Sequence, residues 1–365
     1  MTDKLKKKLS VLSITNERVF NVVKMLISIL IALAITFVIL IFVSDNPVNA
    51  MITILTGPLQ KARYMGIVIE KTIPYAFAGL CCALLFKAGF FNLGAEGIFL
   101  MAGVAVAAVA CNPITDSAIL HPILSILAAA LTGGVLMLIP AFFRAKFNTS
   151  EMVSSLMLNS LYSGVAAYLI RTYLLTTTSS TVGSREYLDT ARIGYIFDKF
   201  HISACFFLLV IITAILEFVV KKTKFGYQIR LSGTNDRFAR YSGINAFKLS
   251  MITNFIAGVL AGIGSATHLL TQTTFYIPST SVVGIGFSGC LMAMLGKNDP
   301  IGTVIAAFFI QYLQEGTSVL YYTDTSVPAE IIAVVEGVMV LLISSQYFLR
   351  GYREKKLLKE GLKHE

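Results

Sequence analysis

Residues 86–103 read FKAGFFNLGAEGIFLMAG, and how this stretch is understood decides the fold. An apolar run is broken by Lys87, Asn92, Glu96 and the glycines at 89, 94 and 97, then resumes at once. In a soluble protein such a break is an ordinary turn. The surroundings argue against that. Of the 365 residues, 56% are hydrophobic and 14% charged, against about 25% charged in a soluble domain, and the mean hydropathy is +0.75.

Apolar runs near the ~20 residues that cross a ~30 Å hydrocarbon core recur along the chain. They fall at about 25–43, 72–86, 96–112, 122–143, 151–173, 201–220, 250–270, 282–296, 300–320 and 328–349. The expected fold is all-α: a polytopic membrane helix bundle of about ten spans. The run at 25–43 exceeds the roughly 7–15 apolar residues of a signal-peptide core, so it is read as a retained first span. This organisation gives an N-terminal segment 1–24, a single transmembrane domain 25–349 and a tail 350–365.

Charge sets the orientation. With the N-terminus in the cytoplasm, cytoplasmic segments hold 23 of the 30 Lys and Arg, as positive-inside topology requires. Both termini are then cytoplasmic. The net charge of +10 follows from loops facing anionic headgroups, and nucleic acid is not an expected partner. Outside, residues 44–71 are expected to hold a short surface helix, and the Thr- and Ser-rich stretch 174–200 reads as a solvated loop or a docking surface for an external protein.

Several motifs fail on context. GIGFSG, residues 284–289, has GxGxxG spacing without the strand, helix and later acid of a dinucleotide fold. GCLMAMLGKND, residues 289–299, has six residues between its glycines and Asn298 where a phosphate loop needs Ser or Thr. No catalytic or metal-ligating constellation is visible, and the five cysteines read as small buried hydrophobes. GVLAG, residues 258–262, is a small-xxx-small pair suited to helix packing.

Carboxylates at membrane depth are costly and usually functional. Glu70, Glu217 and Glu330 sit near span ends and read as interfacial, whereas Glu315 and Glu336 could line a polar route. Glu96 stands out, because Gly-interrupted apolar segments mark irregular backbone lining a cavity. Its first expected role is to accept hydrogen bonds from backbone amides freed at a helix start; substrate contact comes second. AFAGLCCALL at 76–85 and FIAGVLAGIG at 255–264 open two similar four-span units, each followed by a Gly-rich break, 89–97 and 284–289. The two units would be inverted repeats.

The longest segment between spans, 221–249, contains GYQIRLSGTNDRFARYSGIN at 226–245. Physically it is a basic, helix-capable loop in which Asn235 or Thr234 could cap a short helix ending near Gly243. Together with FKAGFFNLGAEG it resembles the permease subunits of bacterial ATP-binding-cassette importers of the branched-chain amino acid and simple-sugar type, especially the nucleoside permeases served by basic-membrane-lipoprotein-type binding proteins. The resemblance runs in order over roughly residues 20–350.

The resemblance implies that the segment from Gly233 to Gly243 holds the coupling helix seated in a cleft of the ATPase. Arg230, Gly233, Asn235, Arg240 and Gly243 would then serve coupling. It also implies two ATPase copies that bind ATP in place of this chain, a second related permease, an external binding lipoprotein and a bacterial plasma-membrane location. A neutral nucleoside or sugar needs hydrogen bonds and stacking, so Phe91, Asn92, Glu96, Asn159, Gln311 and Glu315 are candidate pathway residues. The rival reading is an ion-coupled secondary transporter using Glu96, Glu315 or Glu336.

Overall fold

The computed structural model describes residues 34–42, 44, 46–175, 183–197, 200–278, 281–323 and 337. The expected segment 1–24, most of the first span, the tenth span except residue 337, with Glu330 and Glu336, and the tail lie outside the described residues. The chain divides into two compact units: residues 1–58 with 313–365, and Leu59–Tyr312. In the smaller unit, helix α1 (residues 34–42) precedes α2 (Pro47–Gln60). The small residues Gly57 and Gly316 bring α2 against the end of α12, and a Cβ on Gly316 would lie 2.0 Å from the Ile54 carbonyl oxygen.

The larger unit is built from α3 (Ala62–Lys87), α4 (Ala95–Ala110), α5 (Leu120–Phe147), α6 (Glu151–Leu169), α7 (Cys205–Lys222), α8 (Lys224–Thr234), α9 (Asp236–Tyr241), α10 (Ala246–Gln272), α11 (Ile285–Leu295) and the first half of α12 (Pro300–Thr323). A π-turn at Ile170–Leu174 extends α6, and β1 (Tyr195–Phe197) pairs antiparallel with β2 (Ile202–Ser203). Among the described residues four helices are long and apolar enough to cross a membrane, namely α3, α5, α6 with its π-turn, and α10. α4 and α11 are shorter apolar helices. α3, α5 and α7 each carry lysine or arginine in the last turn, which defines a basic end of the bundle.

α3 corrects the expected boundaries. It begins at Ala62, ten residues before the apolar run, so only α2 remains of the expected surface helix in 44–71. Hydropathy ends at charged residues, whereas helical hydrogen bonding does not. Glu70, read as interfacial, is only 5% exposed; its carboxylate accepts from the Ser203 N–H at 3.0 Å and hydroxyl at 2.8 Å.

Prolines inside these helices free carbonyls that lipid cannot satisfy. Pro74 removes the partner of the Glu70 carbonyl, which instead accepts from Gln272 Nε2 at 3.3 Å. Pro140 does the same to Leu136, whose carbonyl accepts the Tyr162 hydroxyl at 3.1 Å. Neighbouring helices thus repair both breaks.

α10 packs most extensively on α5 and α3. Where α10 crosses α5, a Cβ on Gly258 would lie 2.2 Å from the Gly133 carbonyl oxygen, and one on Gly262 2.2 Å from that of Ala129. Only glycine fits so close an approach. Gly258→Val is expected to cost about 3 kcal/mol or more by overpacking against backbone, read as a lower melting temperature of the purified protein; an unchanged melt would contradict the crossing.

At the end away from the basic residues, the stretch read as a solvated or docking loop is in part a folded cover. The N–H groups of Ser184, Tyr187 and Ile193 donate to the carbonyls of Tyr276, Thr274 and Leu270, and that of Leu188 to Ala110. Ser184, Tyr187 and Ala191 are buried there. Tyr276, fully buried, wedges against Gly103 and donates its hydroxyl to the Leu100 carbonyl at 2.8 Å.

Candidate functional site

The break read from the sequence is a re-entrant stretch of backbone. α3 ends at Lys87, Gly89 turns the chain with φ +79°, and α4 starts only at Ala95. The residues between return along α6, whose buried face is Glu151, Ser155, Asn159 and Tyr162. The first three are four residues apart and form one polar stripe.

Two rungs of that stripe satisfy part of the irregular backbone, and the third, Glu151, holds the Asn92 side chain. Ser155 Oγ accepts from Leu93 N–H at 3.0 Å, Asn159 Nδ2 donates to the Leu93 carbonyl at 2.9 Å, and Asn159 Oδ1 accepts from Gly97 N–H at 3.0 Å. Asn92, fully buried, accepts from Gly94 N–H at 2.8 Å and donates to Glu151 at 3.2 Å and Asn254 at 2.9 Å. Glu151 in turn pairs with Arg144 at 2.8 Å, and the Arg144 guanidinium lies over Phe90, 4.4 Å from its centroid. Non-helical backbone survives at membrane depth only with such partners. Asn159→Leu removes two of them, so about 2–4 kcal/mol should be lost, seen as a lower detergent melting temperature than in Asn159→Gln.

Glu96 does not close on its own helix. Its carboxylate accepts from the backbone N–H groups of Gly284 at 2.7 Å, Gly286 at 2.9 Å and Phe287 at 3.3 Å, which cap the start of α11. The two glycine-rich breaks therefore meet. A Cβ on Gly286 would lie 2.3 Å from Glu96 N, so backbone touches backbone. α11 has 11 residues, about 16 Å at the α-helical rise, half a hydrocarbon core. Its other end lies at the basic end, so the meeting point is near the middle of the bundle. Two helix N-termini, each a partial positive charge, face one carboxylate there.

At the basic end the second sequence motif touches the first. Thr223 caps α8 by accepting from Gly226 N–H at 3.1 Å, and Asn235 caps α9 by accepting from Phe238 N–H at 3.0 Å. α9 ends at Tyr241, just short of Gly243. Gly243, at φ +81°, closes the helix with Gly243 N–H to the Arg240 carbonyl and Ile244 N–H to that of Ala239, a Schellman arrangement. Arg240 is exposed, as are Phe238 at 55% and Tyr241 at 91%. Arg230 reaches back to donate to the Val220 carbonyl. Gly233 lies against the end of α3; its Cβ would be 2.1 Å from the Lys87 carbonyl oxygen, and its Cα is 3.2 Å from where a Cβ on Gly89 would sit. Asp299, in the α11–α12 turn, accepts Lys87 Nζ at 3.1 Å and Lys221 Nζ at 3.3 Å, tying together the ends of α3, α7 and α11.

A comparison with protein families matches residues 64–344 to the family described as branched-chain amino acid transport system permease component. The chain belongs to this family. It is an ABC-transporter permease subunit, a transport component and not an enzyme. The permease is similar to the guanosine ABC transporter permease NupP of Bacillus subtilis, 26% identical over 350 residues covering 94% of this chain and 99% of the relative. It is similar to a glucose ABC transporter permease of Haloferax volcanii, 28% identical over 342 residues, 90% and 88% of the two chains. It is similar to the nucleoside ABC transporter permease NupB of Lactococcus lactis, 24% identical over 343 residues, 92% and 93%. No solved structure matches the permease.

Of the pathway candidates, Asn92, Glu96 and Asn159 gather around the break of the permease. Phe91 is 64% exposed with its ring 5.6 Å from Phe86. Gln311 is 1% exposed, and its Nε2 has no hydrogen-bond partner among the described residues. Glu315 is 5% exposed. Sequence reasoning missed Glu151, Ser155, Asn254 and Asp299. The first two were legible as polar residues at spacing four beside Asn159 in an apolar helix.

Proposed function

We propose that the chain is the membrane permease of an ATP-driven importer that moves a nucleoside delivered by an external binding lipoprotein. Its bundle has about ten spans in a bacterial plasma membrane, with inverted halves and both termini cytoplasmic, so the basic end faces the cytoplasm. The transmembrane domain runs over 25–349, between the cytoplasmic segments 1–24 and 350–365. A second related permease and two ATPase copies complete the assembly. The observation that carries this reading is the contact of Gly233 with the end of α3: a surface segment that can take a push from an ATPase bears on the break whose far side holds α11 through Glu96.

In this reading α9 with Arg240 and Gly243 seats on the ATPase, while Arg230, Gly233 and Asn235 hold α8 and α9 rigid between it and the break. Alternating access follows when ATP binding favours one arrangement of the bundle, since a ligand shifts such an equilibrium only through different affinity for the two states. Asn92, Asn159 and Glu96 shape the break. Phe91 and Gln311 are the proposed solute contacts, and Gln311 supports this with a buried Nε2 that has no hydrogen-bond partner among the described residues. A nucleoside is chosen because guanosine and nucleoside permeases are among the similar proteins; the glucose permease favours a sugar as the second reading.

The test is uptake of labelled guanosine and glucose into proteoliposomes holding the chain with its partner subunits. ATP-dependent guanosine uptake is expected. Uptake of glucose alone would transfer the assignment to a sugar, and uptake by this chain alone under an ion gradient would sink the ATP-driven reading.

A further inference from the structure

A cavity of about 630 Å³ opens at the basic end between the last turn of α7, the first turns of α8 and the turn from α9 into α10. Lys221, Lys222, Lys224 and Arg230 stand in its wall with Tyr227 and Ser242, and among the described residues no carboxylate lines it. Glu217 and Asp299 both pair with Lys221. Lys222, Lys224 and Arg230 thus face one concavity whose wall, among the described residues, holds no counter-charge.

Two further features suit an anion. Arg230 spends one N–H on the Val220 carbonyl, which fixes a guanidinium whose other donors match phosphate oxygens. α8, 11 residues long, starts at the cavity, and Lys224, Tyr227 and Gln228 of its first turns line the wall, adding a positive dipole end. A cleft lined by one sign of charge concentrates the opposite sign.

The position selects the source of that anion. The apolar part of α7 ends at Val220 and Lys221 follows directly, so the cavity lies where hydrocarbon gives way to headgroups. Tyr227, 56% exposed, is an aromatic of the kind enriched at that level. We propose that the cavity binds the phosphate of an anionic phospholipid headgroup through Lys222, Lys224 and Arg230. Such a lipid bridges α7, α8 and the α9–α10 turn, and so stiffens the surface segment against the membrane. The site is independent of which solute is carried.

Native mass spectrometry of the purified full chain, titrated with phosphatidylglycerol or phosphatidylcholine, tests this. Wild type is expected to retain phosphatidylglycerol well above phosphatidylcholine. Lys222→Gln with Lys224→Gln should weaken the former about 30-fold, taking each surface cation at its usual worth. Lys146→Gln, whose ammonium lies over Phe142 and Phe147, should change nothing. Lys224→Gln alone, with an expected loss of about fivefold, repeats the test should the double variant assemble poorly. Equal retention of the two lipids, or undiminished phosphatidylglycerol binding in the variants, overturns the proposal. Complete displacement by excess inorganic phosphate would reassign the cavity to free phosphate and overturn the lipid source.

Discussion

Glu96→Ala is expected to reduce solute uptake about a hundredfold or more while the chain still inserts in the membrane. The substitution strands the N–H groups of Gly284, Gly286 and Phe287 at the start of α11. A buried donor left unpaired costs about 1–3 kcal/mol, and a hundredfold corresponds to ~2.7 kcal/mol, so even partial access of water leaves a large deficit. Glu96→Gln keeps one accepting oxygen but turns an NH₂ toward the same amides, and should fall between. The measurement is uptake by the reconstituted importer, normalised to inserted protein. Wild-type uptake in Glu96→Ala would show that the α4–α11 junction does not matter to transport.

Gly233→Val is expected to lower uptake at least tenfold and leave the subunit assembled. Its side chain would enter at the Lys87 carbonyl, where a Cβ already comes within 2.1 Å. The helix must move off the end of α3, an overpacking cost of about 1–3 kcal/mol, enough for a tenfold change in the balance between two states. α8 keeps its cap at Thr223 and its tie from Arg230 to α7, so the damage is confined to the contact between motifs. Gly243→Ala, at a position open to solvent but with φ +81°, should instead fray the end of α9 and act more mildly.

Much of this was legible in the chain itself. The glycines at 89, 94 and 97 announced irregular backbone, and Glu96 announced a polar demand in apolar surroundings. What Glu96 bonds to could not be read, because its partners lie 188 to 191 positions away and only packing of α3, α10 and α11 brings them together. The start of α3 was displaced for a different reason: Arg63, Glu70 and Lys71 end the hydropathic run, yet the helix continues because Glu70 is buried against Ser203. Asp299 was passed over inside a failed phosphate-loop comparison. Its role needs Lys87 and Lys221 from two other helices, and local spacing carries no sign of either.

The contact between the surface helices and the break is most directly tested by counting guanosine moved per ATP hydrolysed in proteoliposomes of the complete importer. For Gly233→Ala, hydrolysis should persist near the wild-type rate while guanosine moved per ATP falls severalfold, because the push is generated and not passed on. An unchanged ratio in Gly233→Ala would contradict transmission through that contact.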